Sequence, residues 1–225
     1  MRATLHCPIQ HMASCRNSTA PLRSDMTTQH LTILTGASRG MGLAMAQQLL
    51  RQPGQYLVCI SRKTNAALQT QAPATGSSLE QWAHDLAQAD AAAQALKSWL
   101  QAQPLGQFAS ASLVNNAALL PRIAPLDQSD SADLAQALRV GLEAPMLLTA
   151  AFLRATSAWN VPRKVLNISS GLGRRAMASQ AAYCAVKAGL DHFTRCLALE
   201  EAIKPNGAKV CSLAPGVIDT DMQVT

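Results

Sequence analysis

Aromatic side chains are scarce in this 225-residue chain, at 4% of positions, and charged ones make up only 14%. No dense Lys/Arg stripe with interleaved aromatics is present, which excludes the usual nucleic-acid-binding surface. The formal charge of +6 is partly the work of Arg2, Arg16 and Arg23 near the start, opposed there by Asp25 alone. Long apolar runs are also missing. The longest nearly apolar stretch, Ala144 to Leu153, has about half of the ~20 residues a membrane helix needs, so no membrane partner is expected. Cys7, Cys15, Cys59, Cys184, Cys196 and Cys211 form no CxxC pair and no Cys/His metal spacing, which excludes the common zinc sites. Cys59, Cys196 and Cys211 lie in apolar periodic segments and read as small buried hydrophobes, which fits a reducing, cytoplasmic setting. What is abundant is apolar: 48% of residues are hydrophobic, enough for one large α/β domain with a substantial core.

Residues 1–29 lack periodicity and carry Pro8, Pro21 and scattered Ser, Thr and Arg. They read as lying outside the fold, as a floppy or mis-assigned start with Met26 as an alternative initiator, or as a transit peptide spoiled by its prolines. From residue 30 onward, short β-prone runs alternate with helical periodicity. Strands are expected at Leu31–Leu34, Tyr56–Ile60, Ala109–Val114, Val165–Ile168 and Val210–Leu213; Leu79–His84 suits strand or helix equally. Helices are expected from the glycine turn to Leu50, over Gln88–Gln103, over Ala132–Thr156 with a kink at Pro145, and over Ala181–Ile203. Residues 64–78 read as a loop with at most a helical turn, and 171–180 as a loop. This alternation predicts a Rossmann-type, doubly wound parallel sheet covered by helices on both faces. In such sheets ligands bind beyond the C-terminal strand ends.

Polar and glycine-rich groups fall at those ends. The run HLTILTGASRGMGLAMAQQLL places Gly36, Gly40 and Gly42 between a strand and a helix. Backbone N–H groups there can approach an anion, and the helix dipole favours the same spot. Further on, Tyr183 and Lys187 are four residues apart near a helix start, so they rise on one face. A tyrosine ordinarily ionises near pH ~10, and a neighbouring ammonium favours its phenolate. Tyr183 can then exchange a proton with a carbonyl oxygen, with Ser170, at the end of the fifth strand, bonding the same oxygen. Taken alone, a Tyr and a Lys at this spacing read first as a core aromatic and a solvated lysine; the glycine turn and the upstream serine reverse that reading in favour of chemistry.

Residues 30–225 resemble the short-chain dehydrogenase/reductase family, in its short-subunit branch. TGASRGMG (Thr35–Gly42), NNAA (Asn115–Ala118), Ser170, YCAVK (Tyr183–Lys187) and PGVIDT (Pro215–Thr220) carry the resemblance, in family order. It implies an oxidoreductase acting on C=O or CH–OH groups of a small molecule, with Ser170, Tyr183 and Lys187 as the catalytic set. It implies a nicotinamide dinucleotide held by Gly36, Ser38, Arg39, Gly40, Met41 and Gly42. Ser61, Arg62, Asp85 and Leu86 would lie around its adenosine, and Asn116, Ala117 and Ala118 along its length. Pro215, Gly216, Ile218 and Thr220 would lie at the nicotinamide, with Tyr183 and Lys187 on its ribose. A homodimer or homotetramer paired through the two long helices is implied as well. NNAALLPRIAPL and GLEAPMLLT resemble the sepiapterin- and benzil-reductase subgroup, which implies a small ketone or diketone.

For the cofactor, an NAD enzyme places a carboxylate at the end of the second strand. Here Ser61 and Arg62 stand there, and the turn adds Arg39. Two guanidinium groups suit the 2′-phosphate of NADP(H). Three departures from the family pattern are visible. Ala118 replaces a glycine. Val140-Gly141-Leu142 stands where an asparagine of a proton relay is usual, so slow turnover or a non-catalytic NADP-binding protein is the alternative expectation. The sequence also stops short of the family's seventh strand, which reads as a truncated or inactive fragment.

Overall fold

The computed structural model describes residues 29–72, 76–216 and 218; the expectations for the N-terminal residues and for Thr220 lie outside them. Six parallel strands form one sheet: β1 (Gln29–Thr35), β2 (Gln55–Ser61), β3 (Ser78–Ala83), β4 (Phe108–Asn115), β5 (Arg163–Ile168) and β6 (Lys209–Leu213). Their spatial order is β3-β2-β1-β4-β5-β6. The order reverses between β1 and β4, and all six C-terminal ends share one edge, so the switch-point crevice opens at the glycine turn. Leu79–His84, open between helix and strand, is the edge strand β3.

Helices α1 (Gly40–Leu49) and α2 (Ala66–Gln71) lie on one face of the sheet. Leu34, Ala46, Leu50, Leu57, Cys59 and Leu68 form the core between them. Helices α3 (Ala89–Gln101), α4 (Ser131–Leu138), α5 (Ala144–Ala155) and α6 (Ala181–Ala202) follow in the chain. A larger core lies under α3 and α5, including Leu31, Ile33, Leu96, Leu113, Phe152 and Val165. β1 and β2 are buried along almost their whole length. From β4 to β6 burial alternates: Val165 and Asn167 are buried, whereas Lys164, Cys211 and Leu213 are exposed. Helices flank the sheet on both faces as expected, with Val114 of β4 packed against the α1–α2 core; exposed positions among the described residues appear along β5 and β6. Cys211 is exposed, as is Cys196 on α6, contrary to the expectation of burial; Cys59 is buried.

The segment expected as one long helix is three pieces: α4, a π turn over Arg139–Glu143, and α5. Asp130 starts it by accepting from Ala132 N (2.8 Å) and Asp133 N (3.1 Å), a side-chain N-cap. Pro145 has no N–H and its ring crowds the carbonyl four residues back. The chain answers with a π turn closed by Ala144 N–H to Arg139 O, rather than with a simple kink. The few aromatics concentrate in one place. Tyr56, Trp82, Trp99, Phe108 and Trp159 contact one another. Glu80 on β3 accepts from Tyr56 Oη (2.5 Å), Trp82 Nε1 (2.9 Å) and Trp99 Nε1 (3.2 Å). One carboxylate thus fastens the edge strand to its neighbour β2 and to α3.

Candidate active site

The glycine turn is shaped by contacts that reach across the sheet. Gly36 and Gly40 have φ of +73° and +56°, a left-handed backbone that glycine adopts at least cost. Gly42 is needed for space: a Cβ there would collide with the Gly36 carbonyl oxygen and lie 2.6 Å from Asn116 Nδ2. Asn116 staples the turn to β4, donating through Nδ2 to Thr35 O (2.9 Å) and Gly36 O (3.3 Å). The Thr35 hydroxyl in turn accepts from Asn116 N (2.9 Å) and Ala117 N (3.0 Å). Ser61 Oγ accepts from Ala37 N at 2.9 Å, so this hydroxyl fixes the turn as well as facing the cleft. Arg39, at the N-cap of α1, makes no side-chain cap. The first N–H groups of the helix therefore point outward with the positive end of the dipole. Uncapped amides over a cradle that a single Cβ would fill match a dinucleotide pyrophosphate.

A cleft of ≈250 Å³ runs along the C-terminal strand ends. The expected cofactor residues among those described all face it: Gly36, Ser38, Arg39, Gly40, Met41 and Gly42, then Ser61, Arg62, Asp85 and Leu86, then Asn116–Ala118, Pro215, Gly216 and Ile218. Asp85 caps the turn after β3 through Ala87 N (3.0 Å), and Leu86 is buried beside it. Arg39 and Arg62 are exposed at the rim, and neither pairs with a carboxylate among the described residues.

At the other end of the cleft, Ser170, Tyr183 and Lys187 converge. β5 delivers Ser170, whose hydroxyl accepts from Leu172 N (3.2 Å) and hydrogen-bonds Tyr183. Lys187 is 3% exposed; its Nζ donates to Ile168 O at 2.8 Å and sits 5.7 Å from the centroid of the Tyr183 ring. Burial pushes Lys187 down to about 8, while the Asp191 carboxylate works against that fall. The sequence led us to expect a lowered tyrosine pKa. Instead burial pushes the Tyr183 phenol above its usual value, and the Ser170 hydrogen bond only partly offsets it.

Gly141, where the family pattern has an asparagine, is buried at the π turn against Val186. A Cβ at Gly141 would stand 2.5 Å from Val186 Cγ1. The valine methyl occupies the space that a side chain at 141 would need, so an asparagine fits there only if Val186 shifts or is replaced by a smaller residue. Sequence reasoning missed Ile60, His84, Leu119, Val140, Ile168 and Ser169, which also line the cleft. Their position next to strand ends or inside an apolar run was the only available signal. It also missed Thr35 and Asn167. Asn167 accepts from Asn115 Nδ2 (2.8 Å) and donates to Thr194 Oγ1 (2.8 Å), locking β4, β5 and α6 together below the cleft.

The model of the short chain dehydrogenase family matches residues 30–225, and the chain belongs to that family of oxidoreductases. It is 35% identical over 191 residues to a Bacillus cereus benzil reductase that forms (S)-benzoin, with 85% of this chain and 76% of that protein covered. Sepiapterin reductase of Xenopus tropicalis is 31% identical over 204 residues, covering 86% and 76% respectively. Among solved structures, a metagenomic short-chain oxidoreductase in complex with NADP superposes with a TM-score of 0.74 at 32% identity, covering 85% of this chain and 83% of that one. The comparisons support carbonyl reduction with a nicotinamide dinucleotide. Among the described residues, no helix is long and apolar enough to cross a membrane.

Proposed function

We propose that the chain is an NADPH-dependent reductase of a small ketone or diketone, with Ser170, Tyr183 and Lys187 as its catalytic residues. The observation that carries this reading is the meeting of these three side chains at one end of a cleft whose other end is an uncapped glycine cradle. When bound, the cofactor supplies the hydride. The Ser170 hydroxyl holds the substrate carbonyl oxygen, and Tyr183 Oη gives it a proton. Lys187, fixed on Ile168 O, keeps a positive charge beside the Tyr183 ring and favours the phenolate left after transfer. Burial opposes that phenolate and the Ser170 hydrogen bond partly offsets it; the charge of Lys187 lowers its cost further.

NADPH oxidation with a panel of small ketones and diketones tests the reading. Turnover that rises with the diketone supports it. NADPH binding to folded protein with no turnover across the panel favours a non-catalytic NADP-binding protein, the alternative raised by Gly141. The cofactor choice is tested separately. Arg62→Asp removes one guanidinium from the rim and places a carboxylate where a ribose hydroxyl would accept it. The ratio of kcat/KM for NADPH over NADH is expected to fall about 10- to 100-fold, the worth of one charge-assisted contact. Turnover by the parent protein that is equal or better with NADH overturns the NADP preference.

A further inference from the structure

One turn beyond Lys187 on α6 lies a second buried ionisable group that the reaction has not yet used. Asp191 is 2% exposed, and neither of its carboxylate oxygens receives a hydrogen bond among the described residues. Removing a carboxylate from water without hydrogen bonds is costly and persists only where charges compensate. Two cations do so. Lys187 stands at i−4 on the same helix face, and Arg174 Nε lies 3.4 Å from Asp191 Oδ2. Arg174 belongs to the stretch that follows Ser170, through a 3₁₀ turn at Gly171–Gly173. This turn is laid directly on the pair: a Cβ at Gly173 would be 3.0 Å from the Lys187 carbonyl and 3.1 Å from Asp191 Oδ2. Lys187 and Asp191 are therefore buried beneath the turn, whereas the Arg174 side chain is 56% exposed and its charge is partly screened.

We propose that Asp191 is a positioning residue acting through Lys187: it is the counter-charge that keeps the Lys187 ammonium protonated, and its grip on Arg174 ties the Ser170 turn to α6. This rests on the catalytic reading of Ser170, Tyr183 and Lys187. The groups facing Lys187 are few. Its own helix brings Tyr183 and Asp191, and the turn after Ser170 brings Arg174. β5 offers the Ile168 carbonyl, which does not titrate, and the π turn faces α6 with Gly141 and Leu142 against Val186 and Gly189. Arg195, one turn past Asp191, is exposed and does not pair with it. Desolvation alone pulls Lys187 down, and Asp191 is the charge that opposes it.

The two partners of the triad must then move Lys187 in opposite directions. Asp191→Asn keeps the shape and removes the negative charge, so the lysine titrates at lower pH. Arg174→Gln removes a competing cation from the carboxylate, so the lysine titrates at higher pH. The Lys187 side-chain resonance in 13Cε-lysine-labelled protein without cofactor, assigned with Lys187→Arg, reads this directly. The expected midpoint falls by about one pH unit or more in Asp191→Asn and rises by about half a unit in Arg174→Gln, whose guanidinium is largely exposed. Midpoints that stay put in both folded variants, or that move together, overturn the proposal. If Asp191→Asn does not fold, the upward shift in Arg174→Gln decides alone. Because the resonance needs no turnover, a parent protein that reduces nothing would overturn the reductase reading while leaving the opposed shifts to stand or fall separately.

Discussion

Tyr183→Phe is expected to lower kcat for carbonyl reduction by about 10²- to 10⁴-fold, the usual worth of a placed proton donor, while the Kd for NADPH changes by less than about threefold. The phenyl ring keeps the packing of a half-buried position on α6 and loses only the hydroxyl that bonds Ser170. The cradle for the pyrophosphate lies at the other end of the cleft and is held by Thr35, Asn116 and Ser61, none of which touches this hydroxyl. Single-turnover kinetics under saturating NADPH separate the two effects. Retention of a tenth or more of the parent kcat would show that the proton comes from elsewhere. The pH dependence has a definite sign. The donor must hold its proton, so reduction is expected to slow as pH rises through the tyrosine's ionisation. In Tyr183→Phe that limb should vanish from the residual rate.

A second large loss is expected from Gly42→Ala, by a different route. The added methyl meets the Gly36 carbonyl and Asn116 Nδ2, and neither can give way. Gly36 N is bonded to Ile60 O at 2.9 Å, and Asn116 Nδ2 is engaged on two carbonyls. The turn must open, which breaks the staple to β4 and pulls the amides of α1 out of register with the phosphates. Overpacking of this kind costs about 1–3 kcal/mol of stability, or a few degrees in Tm for a chain of this size. NADPH affinity is expected to fall about 100-fold or more, since several amide–phosphate bonds go at once. Titration of NADPH against tryptophan emission, with thermal melts of the same samples, checks both. Ala44→Ser, on the exposed side of the same helix, serves as the unperturbed control. Parent-like affinity in Gly42→Ala would mean that phosphate is not bound at this turn.

The strands and the polar groups at their ends were legible because each is written locally. Apolar runs of four or five residues marked β1, β2 and β5, and the glycines, Ser170 and Tyr183–Lys187 followed them. What remained hidden involves partners far apart in sequence, or partners that are backbone. Asn116 shapes the glycine turn by donating to main-chain carbonyls 80 and 81 positions earlier, and a carbonyl leaves no mark in a sequence. Lys187 is anchored the same way, on Ile168 O. Asp191, four residues from Lys187, went unread because its burial comes from the fold, under the turn at Gly173. The π turn escaped because Pro145 announces a break in the helix without saying which hydrogen bond takes its place. Cys196 and Cys211 were misjudged because an apolar neighbourhood in the sequence does not say whether anything is packed over it.

The uneven burial of the sheet makes the chain unevenly tolerant of change. Along β1 and β2 both faces are enclosed, so a polar replacement at almost any interior position should be lethal to the fold. Along β4, β5 and β6 the two faces differ, and Lys164 and Cys211 already stand in water beside Val165 and Asn167, which do not. A saturation-mutagenesis map of this protein would show permissive and forbidden positions alternating with a period of two in its C-terminal half, and unbroken intolerance through its first two strands. The same sheet would carry two different mutational grammars, divided at the strand where its order reverses.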